Sequence, residues 1–200
     1  DSGLIPRLGR RWYSILIMHS ILTHPFLPAA GGAAAVIAVI LGLGWYGAGL
    51  LIHPPAMSPV TIFPDRYGLP YEKVSFGTQD GLSLAGWFVP SSSGSDKTLL
   101  ICHGWGDNKG EILELTVFLN RSEGFNLLFF DFRGHGESEK ALVTLGKMEL
   151  VDFTAAMDYL KKERPACAAN LGVFALSMGA AVAAMALPAH PGVKAAVLES

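Results

Sequence analysis

Cysteine is scarce in this sequence: Cys102 and Cys167 are the two in 200 residues, which excludes a disulfide-built scaffold. Charge is missing from one region in particular. Lys and Arg number 15 and Asp and Glu 17, yet residues 1–60 hold only Asp1, Arg7, Arg10 and Arg11. Residues 61–200 have the charge density of an ordinary soluble domain, and the first 60 are too apolar for one. The net charge is −2, with neither a basic patch nor aromatics interleaved with Lys and Arg, so nucleic acid is not an expected partner. His19, His24 and His53 fall outside any ligand spacing, and no metal site can be argued from them. There is no internal repeat, and 200 residues leave no room for two full enzyme domains.

What is present first is a long apolar run. Phe26 to Ile52 carries no charge and is long enough, at about 1.5 Å per residue, to cross a hydrocarbon layer of about 30 Å. It reads as one transmembrane helix over 26–52. Trp45 and Tyr46 lie near its outgoing end, and Pro54 and Pro55 stop it. A buried core helix and a cleaved signal peptide are the rival readings. The run is about twice a signal core in length, and Pro59 follows the small-x-small site Ala56-Met57-Ser58, so an uncleaved anchor is preferred. Arg7, Arg10 and Arg11 precede the helix while Arg66 alone follows closely, which places residues 1–25 in the cytoplasm and the soluble part outside an inner membrane. Within 1–25, Trp12 to Leu22 forms a shorter apolar stretch suited to the interface. Ala30, Ala34, Ala38 and Gly42 make a small-residue stripe that allows homodimerisation through the helix. Residues 53–70 hold five prolines and no apolar periodicity, the pattern of a stiff extended linker.

Residues 71–200 alternate strand and helix signals. Tyr71–Thr78 and Leu82–Val89 are β-rich runs around Gln79-Asp80-Gly81, a hairpin. Thr98–Cys102, Asn126–Phe130, Leu171–Ala175 and Lys194–Leu198 are short apolar runs that suit parallel strands covered on both faces. Leu150, Phe153, Met157 and Leu160 recur at helical spacing, with Glu149 and Asp152 early and Lys161 and Lys162 late. The pattern is a doubly wound α/β sheet of about six strands.

In such sheets reactive groups gather beyond the carboxyl ends of strands. Three of these runs end in Gly-containing turns: His103-Gly104-Trp105-Gly106-Asp107-Asn108, Phe132-Arg133-Gly134-His135-Gly136-Glu137-Ser138, and Leu176-Ser177-Met178-Gly179. In the third, Ala175-x-Ser177-x-Gly179 sits between an apolar strand and an Ala-rich helix, which puts a Ser on a sharp turn where small neighbours are needed. Its hydroxyl is read as a nucleophile, the other reading being a helix N-cap. The His103-Gly104 turn comes in the order that brings the Trp105 N–H beside that of Met178 as an oxyanion hole.

The segments QDGLSLAGWFVP, ICHGWGDNKGE, FFDFRGHGES and FALSMGAAVA, in this order, resemble the α/β-hydrolase superfamily, and within it the membrane-anchored serine hydrolases of bacteria and their eukaryotic relatives. The resemblance covers 71–200; Ala175 replaces the first Gly of the family's G-x-S-x-G. It implies an acyl-enzyme on Ser177 formed from an ester, thioester or amide, the acyl substrate being a small molecule or lipid-like. The backbone N–H groups of Trp105 and Met178 would hold the oxyanion. His103, Gly104, Arg133, Gly134, His135, Gly136 and Gly179 are implied as structural support, and no cofactor is. The family's acid and base follow the Ser in chain order, so neither falls within these residues, and His135 is disfavoured as the base. The hydrolase domain is therefore expected to be incomplete at Ser200 and the fragment inactive, with the start at Asp1 pointing to truncation or processing. The rival function is a membrane-anchored scaffold that keeps the fold without chemistry. Cys102 and Cys167, at opposite strand ends, are expected as free thiols.

Overall fold

The computed structural model describes residues 26–53 and 59–200. The interfacial segment expected within 1–25, its three arginines, the helix stop at Pro54 and Pro55 and the residues Ala56-Met57-Ser58 lie outside the described residues. The chain divides into two units, 1–48 and 49–200.

The first helix, α1, spans Phe26–Ile52. Its stretch Ala30–Ile52 is long and apolar enough to cross a membrane. Val36, Ile37, Val39, Ile40, Leu41 and Leu43 all stand more than half exposed, which a core helix cannot tolerate but a lipid-facing one requires.

Residues 49–200 contain a six-stranded sheet: β1 Glu72–Gly77, β2 Ser83–Val89, β3 Lys97–Cys102, β4 Asn126–Phe130, β5 Asn170–Leu176 and β6 Val193–Glu199, in the order β1-β2-β4-β3-β5-β6. β1 and β2 form the antiparallel hairpin, closed by Gly81 at φ 91° and by Thr78, whose hydroxyl donates to Asp80 at 2.6 Å. β2 runs antiparallel to β4, and β3, β4, β5 and β6 are mutually parallel where they pair. Three helices follow: α2 Leu113–Arg121, α3 Glu149–Glu163 and α4 Met178–Ala186.

The two-residue period of a strand splits its apolar side chains between the faces. Leu100, Cys102, Leu128 and Phe130 join Phe153, Met157 and Leu160 of α3 and Val182 and Ala183 of α4 in one core cluster. Ile101, Leu127 and Phe129 join Trp87, Val89 and Leu113 of α2 in the other. All five residues of β4 are buried, as the unbroken apolar run NLLFF demands. Each such Leu or Phe contributes roughly 1.5–3 kcal/mol by leaving water.

One expectation fails. The segment from Pro59 to Pro70, read as an extended tether, packs on the domain. It contains a short 3-10 helix, Pro64–Tyr67, ended by Gly68 at φ 65°. Pro64 and Leu69 are buried, and the Phe63 and Trp87 rings lie 5.4 Å apart. The prolines do stiffen this stretch, but Val60, Ile62, Phe63 and Leu69 between them supply apolar cover for a sheet face that α2 alone leaves open. Burying that surface outweighs the freedom of a solvated tether.

Candidate active site

Strand register assembles the site. Cys102 pairs with Phe130 on one side and with Ala175 on the other, and Ala175 pairs in turn with Leu198. The turns that leave β3, β4 and β5 therefore emerge side by side from one edge of the sheet. These are the three Gly-containing turns singled out above.

Ser177 stands between β5 and α4 at φ 47°, ψ −115°. A non-Gly residue held there stores backbone strain of roughly 1–3 kcal/mol, which the surroundings must impose. They do so at close range. The Ser177 N–H donates to the Glu199 carbonyl at 2.6 Å, and the Ser177 carbonyl accepts from Ala181 at 3.0 Å. Gly179 lets α4 cross the end of β3: a Cβ at this position would meet the carbonyl oxygens of His103 at 2.6 Å and Cys102 at 2.7 Å. The Ser177 side chain is exposed and makes no capping hydrogen bond to α4, which argues against the N-cap reading.

The turn after β3 faces this serine. A Cβ on Gly104 would lie 3.4 Å from Ser177 Cβ. Gly104 and Asp107 close a β-turn, Asp107 N–H to Gly104 O at 3.4 Å, with Gly106 at φ 80°. That φ at the third position is the mark of a type II turn. The backbone N–H groups of Trp105 and Met178 have no acceptor among the described residues. Met178 opens α4, so its N–H also carries the positive end of the helix dipole.

Both histidines brace these turns. His103 Nδ1 lies 2.7 Å from the Gly104 carbonyl, so it carries the proton, and its Nε2 accepts the Phe132 N–H at 3.1 Å. His135 Nδ1 likewise faces the Arg133 carbonyl at 2.8 Å, and its Nε2 accepts the Gly106 N–H at 3.2 Å. Both rings are fully buried. Burial, then the neighbouring His135, pushes His103 down to about 3, and burial lowers His135 as well. Each is thus a neutral imidazole with both nitrogens engaged, a poor arrangement for a general base.

Arg133 ties three elements together. Its guanidinium donates to Asp152 of α3 at 2.6 Å and to Asp80 of the β1–β2 turn at 2.8 Å. Burial opposes its charge, but these carboxylates raise its pKa above the ordinary arginine value. The hydrogen bond to Arg133, joined by one from Thr78, lowers Asp80 to about 2. Gly134 at φ 69° and Gly136 at φ 49° shape the same turn, and the latter's backbone wraps the Asp131 carboxylate.

Sequence reasoning missed the buried ion pair beneath the site. Lys109 and Asp131 are enclosed side chain to side chain, Glu137 reaches the same ammonium at 2.6 Å, and the Trp87 ring lies 4.8 Å from it. Asp131 also accepts the backbone N–H groups of Lys109 at 2.7 Å and Glu137 at 2.8 Å. The available signal was a Lys two residues past a Gly-rich turn and an Asp closing an apolar strand. Among the described residues no three His, Cys, Asp or Glu side chains converge as a metal site needs. Cys102 is buried and Cys167 half-buried, both free thiols. A cavity of about 660 Å³ lies elsewhere, between β1 and α3.

Known proteins resemble this chain in sequence and fold. Residues 93–200 match the family model described as serine aminopeptidase, S33. The protein Rv2307c of Mycobacterium tuberculosis is 31% identical over 167 residues, 78% of this chain and 55% of that protein. The membrane protein YNL320W of Saccharomyces cerevisiae is 33% identical over 76 residues, 38% of this chain and 26% of its own. The solved structure of the Pyrococcus furiosus esterase Pf2001 superposes with a TM-score of 0.67 at 32% identity, covering 72% of this chain and 57% of that one. The chain spans about half the length of the curated relatives it matches.

Proposed function

The chain belongs to the α/β-hydrolase superfamily, in the family described as serine aminopeptidase, S33, and from that membership we propose a membrane-anchored serine hydrolase that works through an acyl-enzyme on Ser177. The observation that carries the proposal is Ser177 itself: exposed, strained at φ 47°, free of capping duty and set against the Gly104 turn.

In the proposed reaction Ser177 Oγ attacks the carbonyl carbon of an ester, thioester or amide, and its proton passes to a base. The carbonyl oxygen becomes an oxyanion that accepts the N–H groups of Trp105 and Met178, aimed before the substrate arrives and so costing no reorganisation. Collapse expels the alcohol, thiol or amine with the proton, leaving the acyl group on Ser177. Water then repeats the sequence and frees the acid. His103 and His135 are committed to the backbone, so the proposal assigns the base to neither of them. The helix α1 anchors the enzyme, and the arginines at positions 7, 10 and 11 favour a cytoplasmic N-terminus in an inner membrane.

The test is labelling of the full-length protein with a fluorophosphonate probe. Wild type is expected to label and to hydrolyse a short-chain ester, and Ser177→Ala to do neither. Trp105→Ala is expected to keep most of its activity, because alanine retains the backbone donor. Undiminished labelling of Ser177→Ala overturns the assignment, and a wild type that neither labels nor turns over favours the scaffold reading.

A further inference from the structure

We propose that the loop 140–147, between β4 and α3, rests in the interfacial layer of the bilayer beside the end of α1, and so holds the rim of the Ser177 site at the membrane surface. The inference rests on α1 as the membrane anchor proposed above. It is independent of the chemistry assigned to Ser177.

Hydrogen bonds carry the first part of the argument. Residues 49–200 form one unit, so the last turn of α1 is built into the hydrolase domain. A helix ends in carbonyls that have no partner within it. Two of them are taken here by the domain: Ile52 O accepts the Val143 N–H at 3.1 Å, and Leu51 O accepts the Trp105 indole N–H at 3.0 Å. Val143 lies in the middle of the loop 140–147, and Trp105 lies in the turn that faces Ser177. Both are thus tied directly to the residues at which the apolar span Ala30–Ile52 ends. Where that span meets water, the loop and the turn are its immediate neighbours.

The loop has the composition and shape for lipid. It reads Lys-Ala-Leu-Val-Thr-Leu-Gly-Lys, an apolar centre between two lysines. Val143 is buried in the domain, whereas Leu142 and Leu145 stand 53% and 45% exposed, as does Met185 of α4 at 50%. Met185 belongs to the same patch, since a Cβ on Gly146 would meet its terminal methyl at 2.6 Å. Leu145 sits at φ 54°, a conformation that a bulky side chain leaves unless it is held. The buried Glu149 carboxylate holds it, accepting the Thr144 N–H on one side at 2.8 Å and the Gly146 N–H on the other at 2.6 Å. An apolar group pinned outward under strain marks a surface with a partner. Lys140 and Lys147 are exposed and have no ion-pair partner among the described residues. Their stems can lie along the acyl boundary while the ammonium groups reach lipid phosphates. Attachment to the end of the span selects the bilayer over a protein as the partner.

The experiment uses the full-length protein in phosphatidylcholine vesicles, with an environment-sensitive fluorescent amino acid replacing Leu142, Met185 or Lys97 by codon suppression. Lys97 opens β3, at the end of the strand opposite the Trp105 turn, and serves as the reference. The readout is quenching by a nitroxide carried on the upper acyl chain of a minority of the lipid. Probes at 142 and 185 are expected to shift to the blue and to lose about half of their emission or more, because an interfacial apolar group sits roughly 5–10 Å into the headgroup and acyl boundary. The probe at 97 is expected to do neither. Absence of quenching at both 142 and 185 overturns the proposal, as does equal quenching at 97, which would mean that no one face meets the lipid. A blue shift without quenching would show protein covering the loop and overturns it too. Should the replacement of Leu142 unfold the protein, the probe at 185 decides alone. The readout needs no turnover, so an unreactive Ser177 leaves it intact. A protein that fails to float with the vesicles is a different result, which removes the anchor and this inference with it.

Discussion

Lys109 and Asp131 form an ion pair with both side chains at 0% exposure. It joins the turn after β3 to the turn after β4. Removing one partner of such a pair strands the other charge in a medium that cannot solvate it. Lys109→Met is therefore expected to cost about 3–5 kcal/mol of folding free energy. Lys162, whose pairing with Glu163 is exposed, should change stability by less than about 1 kcal/mol when replaced by Ala. Urea denaturation of the two variants measures the difference, and equal losses would show that the buried pair has no special weight.

Gly179 predicts a steric outcome. A methyl group there would press within 2.7 Å of two carbonyl oxygens at the end of β3, and both the backbone of α4 and that of β3 are fixed by their own hydrogen bonds. Gly179→Ala should lose at least about 1–3 kcal/mol through overpacking. Ala181→Gly, two residues on and exposed, should cost only roughly 0.5–1 kcal/mol of helix propensity. Thermal unfolding of both settles the order, and a Gly179→Ala protein as stable as wild type would mean that α4 moves freely away from β3.

The pH dependence of stability has a definite sign. His103 is pushed down to about 3 by burial, so between its unfolded value near 6.5 and that point the unfolded chain binds a proton that the folded chain does not. Its contribution is complete above about 6.5 and is lost as pH falls, by about 1.4 kcal/mol per pH unit. Asp131 and Asp152, raised by burial, act in the opposite direction above the ordinary carboxylate pKa, so a difference between proteins is the clean readout. Denaturation of wild type and His103→Gln at pH 7 and pH 5 should show the wild type losing more, by about 1.4 kcal/mol for each unit below 6.5. Parallel losses would contradict the neutral, buried assignment.

Much of the fold was legible because its signals are local. Asn126–Phe130 is an unbroken apolar run and became a strand with those very ends, and the other five strands shifted by one residue at one or both ends. Ser177 could be found because its constraint is local too, small residues two before and two after a strand-to-helix turn. The tether failed for the opposite reason: Val60, Ile62, Phe63 and Leu69 have no period, and what buries them is a sheet face made of residues far along the chain. The Lys109–Asp131 pair spans 22 residues, and Asp152 reads in sequence as a favourable charge in an early helical turn although it is the partner of Arg133. Charge partners across a fold leave no periodicity to read.

Membrane topology gives a further expected outcome. Arg7, Arg10 and Arg11 before α1 predict a cytoplasmic N-terminus. A reporter that is active only outside the cytoplasm, fused after Pro70, should give signal, whereas signal from a cytoplasm-only reporter at that point would reverse the orientation.

The two thiols make the domain its own stopwatch. Cys102, at the end of β3, is fully buried and its thiol is pushed up by burial. Alkylation needs a solvated thiolate, so it waits on the rare openings in which β3 parts from both neighbours. Cys167, half-buried in the turn that follows α3, reacts through smaller excursions. A pulse of iodoacetamide read by mass spectrometry thus records two clocks in one molecule: the fast one reports fraying at the surface, and the slow one the disassembly of the strand that carries the Gly104 turn.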